Sequence, residues 1–177
     1  MSTPSALAVQ GIETGLLIKG CEHCISQCEK LLDEVTEQTY IQRVDGAASI
    51  GTHLRHILDR FQCFFAGLPT GSIDYDARKR DPAIETKLAA ARFGLASLKR
   101  RLLKMEEAEF VDLTVWESIH HASPKVSLNS NVQRELMGLI THTTHHLAII
   151  ALIGKELGME FHRDFGKAPS TIIYERT

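Results

Sequence analysis

The run Thr141-His142-Thr143-Thr144-His145-His146 concentrates three of the chain's 9 histidines in one short segment. An α-helix turns about 100° per residue, so His142 and His146, four apart, fall on one face separated by about 40°. Leu139, Thr143, Ile149, Ile150, Ile153 and Leu157 share that arc. His145 lies about 60° to the other side, beside Gly138 and Ala148. Two imidazoles on an apolar face are costly if both are charged, and each neutral ring still needs a partner. A shared metal ion answers both needs, because imidazole nitrogen ligates zinc, nickel, copper and iron. The bland alternative is a pair of core histidines satisfied by hydrogen bonds, which an H-x3-H spacing alone does not exclude. Thr143 and Thr144 stand where an H-E-x-x-H peptidase would need its general base, so that chemistry is excluded.

A third ligand has to come from another element. Ile50, Leu54, Ile57, Leu58, Phe61, Phe64, Phe65 and Leu68 repeat at helical spacing behind Ser49, a good N-cap, and Gly67, Pro69 and Gly71 end the run. This helix carries His53 and His56, with His53 nearer the centre of the apolar arc and His56 at its edge. Either one is a candidate ligand; His53 otherwise orients a ligand, acts as an acid or base, or is simply a satisfied helix histidine. Cys21-x2-Cys24-x3-Cys28, with His23 beside it, has the look of a metal motif but no second cysteine pair to complete it. With Leu31, Leu32 and Val35 the three cysteines form the buried stripe of an amphipathic helix over 21–40, and free cysteine is commonly buried. That helix extends back through Leu7, Val9, Ile12, Leu16, Leu17 and Ile18 if Gly11, Gly15 and Gly20 are tolerated. Glu135, on the histidine arc, is either a group supporting a ligand or an exposed first-turn acid. Tyr75, Arg78 and Arg80, in the polar connector 72–82, are candidates for a site mouth. Arg60, Arg78 and Arg80 suit a carboxylate, or are simply solvated. Trp116 alone carries no information.

The remaining elements follow from periodicity. Ile84, Leu88, Ala91, Phe93, Leu95, Leu98, Leu102, Leu103 and Met105 give a third helix over 83–107. Between 108 and 129, Val111, Leu113, Val115 and Ile119 alternate with polar residues, and a turn near Ser123-Pro124 leads to Val126 and Leu128, a hairpin signal. Ser130 is placed to cap a fourth helix from 131 to 157, with Gly158 at C′. The tail beyond is expected to be irregular, with Phe165, Ile172, Ile173 and Tyr174 packed inward. Four long amphipathic helices predict an all-α four-helix bundle with a short β-hairpin between the third and fourth and an irregular C-terminal tail.

The stretches SIGTHLRHILDRF and THTTHHLAIIALIGKELG resemble the DinB-like (damage-inducible, YfiT-like) superfamily of metal-binding four-helix bundles, over roughly residues 20–158. The resemblance implies three metal ligands, His56, His142 and His146, the first from a second-helix histidine followed by an apolar residue. It thereby favours His56 where the wheel favours His53. It also implies a metal-dependent S-transferase or isomerase that uses a low-molecular-weight thiol on a small electrophilic substrate, commonly as a homodimer. Some relatives carry a second domain for sulfoxide synthesis, for which this chain is too short. A histidine-only site leaves a +2 ion with an open position and little power to discriminate between metals. Zinc leads, with nickel or iron behind it. No protein nucleophile stands out, so the catalytic residues are unknown. A non-enzymatic metal-binding or stress-response scaffold forming a homodimer is the competing function, and a dimerising protein that binds no metal is a third.

Composition bounds these readings. The chain has 177 residues with 20 basic and 22 acidic side chains, a formal charge of -2, which suits one domain (1–177) and argues against general nucleic-acid binding. No unbroken apolar run reaches about 18 residues, which argues against a membrane span. Met1 to Gly20 lacks a basic n-region and carries Glu13, so cytoplasmic location and reduced thiols at Cys21, Cys24, Cys28 and Cys63 are expected.

Overall fold

The computed structural model describes the backbone of residues 6–107 and 112–177, and the side chains of 13–105 and 112–177. The side chains of Leu7, Val9 and Ile12, and the whole of Val111, lie outside the described residues.

Four long helices form where periodicity places them: α1 (Ala6–Glu34), α3 (Ile50–Gly67), α5 (Leu88–Leu103) and α6 (Val132–Glu156). Three short ones accompany them: α2 (Glu37–Ile41), α4 (Pro82–Thr86) and α7 (Pro169–Tyr174). Three strands, β1 (Ser72–Asp74), β2 (Asp112–Glu117) and β3 (Val126–Asn131), form one sheet in the order β1-β2-β3. This corrects the all-α four-helix bundle. Among the described residues the fold has seven α-helices and a mixed sheet in which β1 runs parallel to β2, and β2 antiparallel to β3.

Each departure has a local cause. Thr36 leaves helical geometry, and its hydroxyl accepts from Thr39 N at 3.1 Å, so a new helix starts there instead of the first continuing to residue 40. Lys87 is extended (φ -131°, ψ 119°) and divides the expected third helix into α4 and α5, with Asp81 capping and Pro82 opening α4. β1 has three residues, of which only Ile73 is buried, too few for an alternation to register. Asn131 caps α6 by accepting from Arg134 N at 2.9 Å, while the hydroxyl of Ser130, the expected cap, donates to Glu135. Gly158 takes the left-handed conformation (φ 76°) expected after the last turn. The tail forms α7 where irregular chain was expected, and Ile173 and Tyr174 are exposed; Phe165 stacks on Phe161 at 4.5 Å.

One core joins these elements, with α1 packed on α5 and α6, and α3 on α4, α5 and α6. Leu54, Ile57, Leu58, Phe61 and Phe64 of α3 share this core with Leu136, Leu139, Leu147 and Ile150 of α6 and with Cys21 and Cys28 of α1. All four cysteines are free and buried, and burial of Cys21, Cys24 and Cys28 is what the amphipathic reading expects. α6 is, by length and composition, long and apolar enough to cross a membrane, at a mean hydropathy of 1.5. Much of its apolar stripe is committed to the core.

The start of α3 sets where His53 and His56 stand. Ser49 Oγ accepts from Thr52 N at 3.2 Å and so fixes the first turn. Gly51 then lets α3 approach α4, since a Cβ there would lie 2.1 Å from the Glu85 carbonyl oxygen and 2.9 Å from the Tyr40 ring. Tyr40 donates its hydroxyl hydrogen to the Ile84 carbonyl at 2.6 Å, which locks the same corner. Gly51→Ala is expected to destabilise the protein by about 1–3 kcal/mol through overpacking against backbone. Urea unfolding measures this, and an unchanged midpoint would show that the corner yields freely.

Candidate metal centre

α3 and α6 pack against each other with their histidines between them. His56, His142 and His146 each offer one ring nitrogen, and these three atoms lie within 4.8 Å of one another. Ring centroids are 4.9 Å apart for His56 and His142, 4.7 Å for His56 and His146, and 4.6 Å for His142 and His146. The i, i+4 pair thus points inward, while His145 is exposed, as the helical wheel indicates. His53 does not join the cluster among the described residues. Its Nδ1 lies 2.9 Å from His146 Nδ1.

Tautomers follow from these contacts. One of the two facing Nδ1 atoms of His53 and His146 must donate. With His146 donating, its Nε2 keeps a lone pair, the form a metal ligand needs, and His53 fills the orienting role that a second partner commonly plays for such ligands. His142 Nε2 is buried and has no hydrogen-bond partner. An orphaned imidazole nitrogen inside a histidine cluster is a costly arrangement that a bound ion would relieve. The donor set is three nitrogens, which suits a divalent ion of borderline softness, so these residues fit a metal.

Beside the cluster lies a cavity of about 350 Å³ lined by His56, Arg60, Tyr75, Asp76, Arg78, Glu117, Ser118 and His142. Among the described residues, three of the four buried side-chain polar atoms without a partner line it: Arg60 Nε, Arg78 Nε and His142 Nε2. Arg60 forms a two-pronged ion pair with Glu117 and lies over the Tyr75 ring, 3.8 Å from its centroid. Tyr75 donates to Glu135 at 2.7 Å, and Ser130 donates to the other oxygen of that carboxylate. Arg78 donates to His56 Nδ1 at 3.2 Å.

The expected site residues divide accordingly. Tyr75 and Arg78 line the cavity, as does Arg60. Arg80 is exposed, in left-handed backbone geometry (φ 51°), and its backbone N–H donates to Asp59. Asp59 is buried and also receives Arg55 at 2.7 Å, so it ties the connector that carries Arg78 to α3. Glu135 is buried rather than exposed, and supports Tyr75 instead of a histidine. Cys21 and Cys24 face the carbonyls of Leu136 and Ile140 on α6, and burial pushes the Cys24 thiol up to about 11. These are core thiols in protonated form. Asp76, Glu117 and Ser118 escaped the sequence reading because they sit at strand ends and turns, where no periodicity marks a residue as facing a cavity.

No protein-family model matches the chain, and no curated protein is significantly similar to it.

Burial, followed by the charges of neighbouring histidines and Arg60, pushes His142 down to about 3, and burial with His56 and His53 pushes His146 down to about 4. His53 and His56 are lowered as well, first by burial and then by His145 and Arg78 respectively. Since folded-state values lie below the ordinary 6.5, the unfolded chain takes up protons first as pH falls. This contribution to stability is complete above about 6.5 and is lost progressively toward 4 and 3. Urea midpoints of metal-free protein should therefore drop on acidification from about pH 7 to about pH 5, a window set by these shifts. The double variant His142→Gln/His146→Gln should show a flatter profile there, and parallel profiles would contradict the assignment.

Proposed function

We propose that this chain is a DinB-like metal-binding protein that holds a divalent ion through His56, His142 and His146. On this reading it is a metal-dependent transferase or isomerase using a low-molecular-weight thiol on a small electrophilic substrate. The observation that carries it is the meeting of three imidazole nitrogens, one of them buried and unpartnered, at the wall of a cavity large enough for a small molecule. Zinc is the leading ion, with nickel or iron as the alternatives that an all-imidazole donor set also admits.

When bound, such an ion supplies a Lewis acid that lowers the pKa of a thiol or water at its open position. The chain's own residues do the rest. His53 holds His146 in one tautomer. Arg60, fixed by Glu117 and Tyr75, presents a rigid polar wall to the cavity. The buried Tyr75–Glu135–Ser130 chain of hydrogen bonds keeps that wall in register with α6. Burial and the hydrogen bond to Glu135 push the Tyr75 hydroxyl up, so it is no ready nucleophile, which favours a nucleophile brought in by a cosubstrate.

Elemental analysis of tag-free protein is expected to find about one zinc, nickel or iron per chain, lost in His142→Ala, as for a three-nitrogen site. Wild type that neither carries nor takes up any of these metals would end this reading. His53→Phe should weaken metal affinity about 10–100-fold, the usual cost of removing an orienting partner, and His53→Gln should recover part of it by keeping an acceptor. Competition with a chromophoric chelator measures both. Equal affinities for His53→Phe and wild type would show that His53 orients nothing.

A further inference from the structure

Arg78 is placed unlike the other cavity arginine. Arg60 spends its charge on Glu117, and Arg55 on Asp59 and Glu85. Arg78 pairs with no carboxylate among the described residues; its one hydrogen bond runs to His56 Nδ1, and its Nε is buried without a partner. A guanidinium is a donor only, so His56 Nδ1 must be the acceptor, and the ring's single hydrogen then sits on Nε2. A neutral imidazole has one in-plane lone pair. In this arrangement Arg78 occupies it.

His56 cannot give the same lone pair to a metal. If His56 ligates through Nδ1, Arg78 stands in the way. If it ligates through Nε2, the hydrogen moves to Nδ1 and confronts the N–H of Arg78, donor against donor. In both cases Arg78 leaves His56, and a half-buried guanidinium is left facing the cavity with no carboxylate paired to it among the described residues. Asp76 is engaged by Ser118 through its backbone N–H and hydroxyl, and Glu117 by Arg60. The two arginines and two acids of the wall balance formally, so a divalent ion leaves the site net positive while Arg78 has its fork free, and the fork of a guanidinium suits a planar carboxylate. A dianion such as phosphate would meet Asp76 and Glu117 as well.

Resting on the metal-binding reading above, we propose that Arg78 and the metal ion compete for the lone pair of His56, and that Arg78, once displaced, binds the carboxylate of a small-molecule substrate in the cavity. The metal thereby switches on the substrate site. Metal and carboxylate binding are coupled through one side chain, and by linkage each strengthens the other.

The test uses the full chain with zinc(II), cobalt(II) and benzoate as probes. Zinc titration comes first: absence of uptake by wild type overturns the metal reading itself, and this proposal with it. Given uptake, Arg78→Gln is expected to bind zinc about tenfold more tightly, because a competitor and a like charge have been removed. Benzoate should alter the visible spectrum of the cobalt-loaded wild type, with affinity falling about tenfold or more in Arg78→Gln through loss of the guanidinium–carboxylate pair. Calorimetry of metal-free wild type should find no comparable benzoate binding. Arg78→Lys, which keeps a charged donor without the planar fork, should fall between the two on both readouts, and circular dichroism checks that each variant folds. Zinc binding that weakens in Arg78→Gln, or benzoate binding unchanged by that substitution, overturns the proposal while leaving the metal reading intact.

Discussion

Imidazoles packed 4.6–5.2 Å apart between two helices cannot all be charged, and the rest of the structure accommodates that constraint. Burial lowers the affinity of each ring for protons, and the arginines of α3 and the connector lower it further at His56. Neutral rings then have to be satisfied one nitrogen at a time. His53 serves His146, Arg78 serves His56, and His142 is left over. The unsatisfied nitrogen is the point at which packing alone stops explaining the arrangement and a ligand starts to.

The helices supply rigidity, and the sheet supplies a wall. Ser49, Gly51 and the Tyr40 hydrogen bond fix the start of α3, while Asn131 fixes the start of α6, so the histidines project from elements held at their ends. The β1–β2 pairing, with Tyr75 N donating to the Trp116 carbonyl at 3.0 Å, brings Tyr75 and Asp76 beside Glu117 and Ser118. Without that pairing the cavity would be an open groove between α3 and α6. Asp59 completes the enclosure by fastening the connector after β1 to α3, at the cost of left-handed geometry at Arg80.

What the sequence revealed and what it concealed differ by physical range. Ser49 as a cap, Gly158 as a stop, the buried cysteine stripe and the inward pair His142 and His146 are consequences of local periodicity, and all are present. The choice between His53 and His56 depends on the angle at which α3 meets α6, which no single-helix wheel contains; the cluster takes His56 and puts His53 behind it. The three-residue β1, the break at Lys87 and the role of Glu117 depend on partners far along the chain. Periodicity therefore points to an all-α bundle, and the chain builds a mixed sheet as well.

The hydrogen bond between His53 and His146 also has a history in time, since 93 residues separate its ends. A ribosome adding roughly 5–20 residues per second leaves α3 waiting on the order of ten seconds for α6 to emerge. During that interval the nascent chain has only His53 and His56 to offer from this region, one turn apart on one helix, with no wall and no third nitrogen. Such a pair is a poor trap for metal, and the strand that closes the cavity is also synthesised late. The order of assembly is thus written into the order of the sequence: α3 is made first, and the centre forms only once α6 has followed it.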